Sequence, residues 1–372
     1  MMPSQPSAST NTDGTGTAAE KSSDSPIQSY SNVLAYLSKK KRTANLLLGN
    51  GFSMAYDPNI FSYNALSEFV DTIEDPLLAK LFEIIKTKNF EQVMLQLSNF
   101  CELAKQFSDD DQLEPKIIAA SVALKKSLLD AIAKLHPEHV HAVPEDKSKA
   151  CAKFLSTYVD GSGHIFTTNY DILLYWVLMR NSKDIPGAVD GFGRDREDGG
   201  SQYTPTEDRE YSELRWGNNK GGQNVHYLHG ALPFFDSGTA VIKEQYDNEK
   251  GNLLDNIKER IERKEYPVFV TSGDGEDKLR NIRHNQYLTY CYDQLCTIKG
   301  SLITFGFNFG DYDKHIIQAI NKATAQHPDS KLWSIYIGVY SNDNRKHIEA
   351  IADQFKCKVN MFDAKTAAVW GE

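Results

Sequence analysis

The stretch HIFTTNYDIL, residues 164–173, decides the fold. His164-Ile165-Phe166-Thr167-Thr168 reads as a short buried strand. It runs into a polar turn, Asn169-Tyr170-Asp171. An apolar helix then begins at Ile172 and continues through Leu173, Leu174, Trp176, Val177 and Leu178. In an α/β sheet such a turn lies at the carboxyl end of the strand, where ligands bind. Asn169 and Asp171 are therefore candidate site residues. Taken alone, they also fit a structural reading, a turn residue and a helix N-cap.

Three other stretches repeat the layout. Asn45-Leu46-Leu47-Leu48 is a short buried strand running into Gly49-Asn50-Gly51-Phe52-Ser53. Strand, glycines and polar residue have the form of a nucleotide phosphate loop, in which backbone N–H groups face a pyrophosphate. The third glycine of the dinucleotide fingerprint is absent, and Glu68 falls in an apparent helix instead of at a strand end. Val225-His226-Tyr227-Leu228 is a strand ending in His229-Gly230, where the glycine would leave one side of the imidazole open. Ser301-Leu302-Ile303-Thr304-Phe305 runs into Gly306-Phe307-Asn308-Phe309-Gly310-Asp311-Tyr312-Asp313, with a helix over 315–323 behind it.

Between the first two of these strands the pattern is helical, from Asp75-Pro76 to about His136. Phe90, Val93, Met94, Leu97, Phe100, Cys101, Ala104 and Phe107 form one continuous apolar stripe, which reads as core. An inserted helical layer over about 65–150 is expected, with His136, His139 and His141 in a solvated loop behind it. Residues 181–223, rich in Gly, Asp, Arg and Asn, read as a long loop and possible lid. Strands over 239–242 and 267–271 follow, with a charged helix over 249–264 between them. Strands over 333–339 and 358–362 complete the sheet. The expected fold class is α/β: a Rossmann-like, mostly parallel sheet flanked by helices.

The chain has 372 residues, with 40% hydrophobic and 11% aromatic content, enough for one large domain with a real core over 28–372. Residues 1–27 are almost devoid of apolar side chains and are expected to be disordered. No apolar run approaches the roughly 20 residues of a membrane span, and no apolar h-region marks a signal peptide. A net charge of −9 argues against broad electrostatic binding of nucleic acid. Cys101, Cys151, Cys291, Cys296 and Cys357 form no CxxC pair, so no zinc ribbon and no metal site is expected. Together these features suggest a reduced, cytoplasmic protein.

The order and content of the four strand ends resemble the sirtuin superfamily. Gly49-Asn50-Gly51-Phe52-Ser53 is similar to its G-A-G-I-S loop. Thr167-Thr168-Asn169-Tyr170-Asp171 is similar to T-Q-N-I-D, with Thr168 in place of Gln. His229-Gly230 matches the catalytic H-G, and Gly306-Phe307-Asn308 takes the place of G-T-S. The four-cysteine zinc module of the deacylases has no counterpart. The T-T-N-Y-D variant, L-H-G-A-L around His229 and the G-F-x-x-x-D ending at Asp311 resemble the bacterial sirtuin-like proteins of antiviral defence, which cleave NAD+. That resemblance implies an NAD+ glycohydrolase that takes NAD+ as substrate, needs no metal, and acts by NAD+ depletion. It implies control by homo-oligomerisation or by a regulatory partner such as a defence ATPase or helicase. By the same resemblance, Asn169 would hold a ribose hydroxyl and the attacking water, and His229 would act as base. Asp171 would contact the nicotinamide carboxamide or stabilise positive charge. Gly49, Gly51 and Ser53 would cradle the pyrophosphate, Gly306 and Asn308 would bound the adenosine side, and Asn50, Phe52, Thr168, Phe307 and Asp311 would complete the NAD+-binding residues. The alternatives are an NAD+ or ADP-ribose sensor without turnover and, further off, a deacylase or ADP-ribosyl transferase.

Overall fold

The computed structural model describes residues 27–61, 75–86, 90–107, 110–137, 139–245, 253–263, 265, 267–270, 274–325 and 331–371. The expected N-terminal disorder (residues 1–26), Glu68, Thr271 and the ends of the helix expected over 249–264 lie outside them. The strands, in chain order, are β1 (Gln28–Ser29), β2 (Ala44–Leu48), β3 (Ile165–Thr167), β4 (Gly191–Gly193), β5 (Leu214–Asn219), β6 (Val225–Tyr227), β7 (Gly230–Asp236), β8 (Val241–Lys243), β9 (Pro267–Phe269), β10 (Gly300–Phe305), β11 (Leu332–Val339) and β12 (Lys358–Asp363).

Seven strands form one sheet in the order β1-β12-β11-β10-β2-β3-β6, and every neighbouring pair is parallel. The fold is thus α/β, with a Rossmann-like parallel sheet between helices. Leu46, Leu47 and Leu48 of β2 and Ile165 and Phe166 of β3 are fully buried, as befits central strands covered on both faces. From β2 the chain steps to β3 and β6 on one side. It then returns to β10 on the other side of β2 and runs outward through β11 and β12. The direction of winding reverses between β2 and β10. The carboxyl ends at such a reversal form the crevice where open α/β sheets bind ligands.

The helical layer between β2 and β3 consists of helices Pro76–Ile85, Phe90–Phe107 and Leu113–Leu135. Asp75 caps the first of them, its carboxylate accepting from the N–H groups of Leu77 and Leu78. Leu78, Phe82, Val93, Met94, Leu97, Ala104, Ile117 and Leu124 form a small core apart from the main one. The layer ends earlier than expected, because helix Glu145–Val159 buries Cys151, Leu155 and Tyr158 in the main core.

Three expectations need correction. The apolar stripe is only partly core: Phe100 is 49% and Phe107 86% exposed, since the neighbouring helix covers only the Val93, Met94, Leu97 and Ala104 side. (The side chain of Phe90 is not among those described.) His136 is buried, not solvated: its ring packs edge-on against Trp176 and its Nε2 accepts from the N–H of Ile172 at 3.2 Å. Residues 181–223 are not one loop. They contain β4 and β5, which join β8, β7 and β9 in a five-stranded antiparallel sheet ordered β4-β5-β8-β7-β9. Asp190, in that segment, pairs with the buried Lys243 of β8. The strand expected over 267–271 also belongs to this second sheet.

Candidate active site at the strand ends

Strands β10, β2, β3 and β6 are consecutive neighbours, so all four motifs leave the same edge of one sheet. Two of the turns touch directly. The N–H of Gly49 donates to Phe305 O at 3.0 Å and that of Gly51 to Gly306 O at 2.9 Å. A Cβ on Gly49 would lie 2.6 Å from Gly306 O, and one on Gly51 2.5 Å from Gly306 Cα. Only glycine fits this approach. The glycines expected to face a pyrophosphate are thus used first to close one turn on another, and the N–H of Phe52 is also taken, by Gly49 O.

Beside this contact lies a buried polar chain. Ser53 is fully buried, and Asn169 and Asp171 are nearly so. Ser53 Oγ lies 2.5 Å from Asp171 Oδ2 and donates to it. Asn169 Nδ2 donates to Ser53 Oγ at 2.9 Å. A carboxylate can only accept, so it claims the hydroxyl proton of Ser53. Ser53 can then only accept from Asn169, which fixes which end of the amide faces it. The carbonyl Oδ1 of Asn169 is left with no hydrogen-bond partner among the described residues. Asp171 Oδ1 accepts from the N–H of Leu173 at 2.9 Å, so both carboxylate oxygens are engaged and the start of helix Leu173–Arg180 is anchored. Burial pushes the Asp171 carboxyl above the usual carboxylate value, opposed by the Ser53 hydrogen bond.

His229 follows β6, and Leu228 ties this turn to the next strand, its N–H donating to Thr167 O. Gly230 has φ +77°, and a Cβ there would run into the carbonyl of Val268 on the adjoining strand β9. The glycine therefore serves the pairing of β7 with β9 and does not open a face of the imidazole. His229 is 2% exposed; its ring lies near Tyr170 (centroids 6.4 Å apart) and stacks on His315 (5.0 Å). Its Nε2 is 2.8 Å from His315 Nε2. Burial, then the neighbouring His315 and Lys278, hold its pKa well below the ordinary histidine value, so it is neutral at pH 7.

The remaining candidates divide. Thr168 bonds to Leu48 O through both its N–H and its hydroxyl, which joins the β3 turn to β2. Phe52 is a core residue: its ring packs on Trp370 and its carbonyl accepts from Trp370 Nε1. Phe307 is buried against Phe309. Asn50 and Asp311 are exposed. Asn308 is held by helix Asn342–Ile351, through Asn344 and through His347 on its carbonyl. Neither Asn308 nor Asp311 is among the hydrogen-bond partners of the Ser53–Asn169–Asp171 chain within the described residues. The residues missed in the sequence are His315, Tyr170 and Lys278. The spacing Asp313-x-His315 after the last strand-end motif was the available signal for His315. Among the described residues no group of His, Cys, Asp and Glu is arranged to hold a metal ion, and no helix is long and apolar enough to cross a membrane.

Residues 46–370 match a family described as a domain of unknown function (DUF4917). The chain belongs to this family. The match runs from β2 to Trp370, which packs against Phe52, and so spans all four strand ends. No curated protein matches the chain.

Proposed function

We propose that this DUF4917 protein is a sirtuin-like NAD+ glycohydrolase, which cleaves NAD+ to nicotinamide and ADP-ribose. The observation that carries the reading is the oriented chain Asn169→Ser53→Asp171. It leaves one amide carbonyl, Asn169 Oδ1, as an acceptor at the carboxyl end of a central strand. Such an acceptor suits a ribose hydroxyl and a water.

Nicotinamide leaves as a neutral base from a pyridinium, so departure needs no general acid. Water attacks the anomeric carbon, the carbon–nitrogen bond breaks, and its electron pair goes to the pyridine nitrogen. The proton lost by the water passes to His229. Burial keeps the imidazole neutral before attack and also makes it a weak base, which is enough for the strongly acidic water adduct of an oxocarbenium-like ribose. Asn169 positions water and ribose, which is the main demand of a reaction with a good leaving group. Asp171 acts through Ser53 on the orientation of Asn169. The burial of all these groups limits access of bulk water. The resemblance also supports a role in bacterial anti-phage defence, with control by self-association or a partner ATPase or helicase.

A binding module without turnover is the second reading. It is favoured by the burial of His229, which lowers its pKa well below the ordinary histidine value and so weakens it as a base. His229→Ala separates the two. The enzyme reading expects nicotinamide release to be abolished, with NAD+ affinity by calorimetry changed less than roughly tenfold, or ~1.4 kcal/mol. Full turnover in a folded His229→Ala protein would remove His229 from the mechanism. Tight NAD+ binding by the wild type with no release of nicotinamide would establish the sensor.

A further inference from the structure

His229 and His315 face each other through the same ring atom. Their Nε2 atoms are 2.8 Å apart, both side chains are buried, and the rings stack at 26°. Two neutral imidazoles in this arrangement share one proton across the contact: one Nε2 donates and the other accepts. In the resting protein a charge on either ring is opposed from three sides. Burial and the Lys278 ammonium bring His315 down to about 3, and His229 feels burial, His315 and Lys278 together. Lys278 is itself buried on helix Gly275–Arg283, with Asp313 Oδ1 3.7 Å from its Nζ.

The pair therefore exists in two neutral arrangements. If His315 donates, His229 carries its proton on Nδ1 and can only donate through that atom. If His229 donates, its Nδ1 is a bare lone pair. No described residue hydrogen-bonds Nδ1 of His229, so this nitrogen is the one left for a ligand. On His315, Nδ1 is buried with no partner among the described residues, so no protein group pins that ring's far side.

We propose that His315 is a positioning residue for the cleavage reaction: it accepts the proton on His229 Nε2 and so holds His229 in the tautomer whose Nδ1 accepts a hydrogen bond from the attacking water, takes the proton of the strongly acidic water adduct as the new bond forms, and passes it to solvent. This rests on the reading of His229 as base. It extends that reading to a residue 86 positions away, on helix Lys314–Thr324, which itself needs no contact with the substrate. The backbone of His315 is held independently, its carbonyl accepting from Tyr292 Oη at 3.0 Å. The side chain is thus replaceable without removing that anchor.

The test uses the full chain with ¹⁵N-labelled histidine rings and two variants. The ring-nitrogen spectrum of the wild type, recorded without NAD+, should show neutral His229 protonated on Nε2. Protonation on Nδ1 would overturn the proposal. In NAD+ cleavage assays His315→Phe, which keeps a ring but no acceptor, should lower kcat at least ~100-fold while KM changes less than about threefold. His315→Gln, which restores an acceptor, should recover kcat to within roughly tenfold of wild type. Equal loss in both variants at unchanged melting temperature would mean that His315 only fills space, and would also overturn it. If the wild type leaves NAD+ intact, the cleavage reading fails by itself. The ring spectrum still reports which nitrogen of His229 holds the proton.

Discussion

Asn169 owes its orientation to a carboxylate with which it shares no direct hydrogen bond. The Asp171 carboxylate takes the proton of Ser53, and Ser53 then accepts from the Asn169 amide. Ser53→Ala breaks this order and leaves buried Asp171 Oδ2 without its donor. A loss of stability of about 1–3 kcal/mol is expected, together with reduced NAD+ cleavage, measurable by denaturant titration and turnover. A variant as stable and as active as wild type would show that the chain does not orient Asn169. Asn169 and Asp171 were legible in the sequence because a buried strand, a polar turn and an apolar helix follow one another within ten residues. His315 and His136 were not. Each is a single histidine whose partner, His229 or Ile172, is far along the chain.

The buried histidines also set a pH dependence. Burial lowers His136 to about 3, and His315 to about 3 with help from Lys278. The unfolded chain binds these protons near pH 6.5. Stability from the neutral rings is therefore complete above about 6.5 and is lost as pH falls towards 3. For His136 alone, moving from pH 6.5 to 5 removes about 2 kcal/mol. Unfolding midpoints at pH 7 and pH 5 should show this fall, and equal midpoints would contradict the assignment.

At the scale of elements, two cores lie side by side. The helical layer over 76–135 packs around Leu124, Val93 and Leu97, separately from the sheet core around Leu46, Phe166 and Leu302. Leu124→Ala should cost about 2–5 kcal/mol locally. Hydrogen exchange should show the lost protection within 76–135, while amides of β2, β3 and β10 keep theirs. Equal loss in the central strands would mean that the layer and the sheet unfold as one unit. The layer was legible from its helical period. Its outer boundary was not, because periodicity marks an apolar face without saying what covers it, as Phe107 illustrates. The antiparallel sheet was harder still. β5 reads Leu-Arg-Trp-Gly-Asn-Asn and is mostly exposed; its alternation lasts only from Leu214 to Gly217, too short to announce a strand.

The whole molecule turns on strand order. Four motifs scattered between residues 49 and 313 reach one sheet edge because β10, β2, β3 and β6 are neighbours. The sequence supplied each strand and its polar ending, but adjacency depends on long-range pairing that no local pattern encodes. The glycines of the first and last motifs illustrate this. Read locally, Gly49 and Gly51 suggest a ligand; in three dimensions they admit the backbone of Gly306.

The central claim is that this sheet edge breaks the nicotinamide–ribose bond. The most direct measurement is incubation of the 372-residue protein with NAD+, followed by chromatography of the products, with Asn169→Ala run in parallel. Nicotinamide and ADP-ribose should appear in equal amounts, and Asn169→Ala, still folded, should form them at least ~100-fold more slowly, about 2.7 kcal/mol of barrier. NAD+ left intact by the wild type, or cleaved equally fast by the variant, would contradict the account.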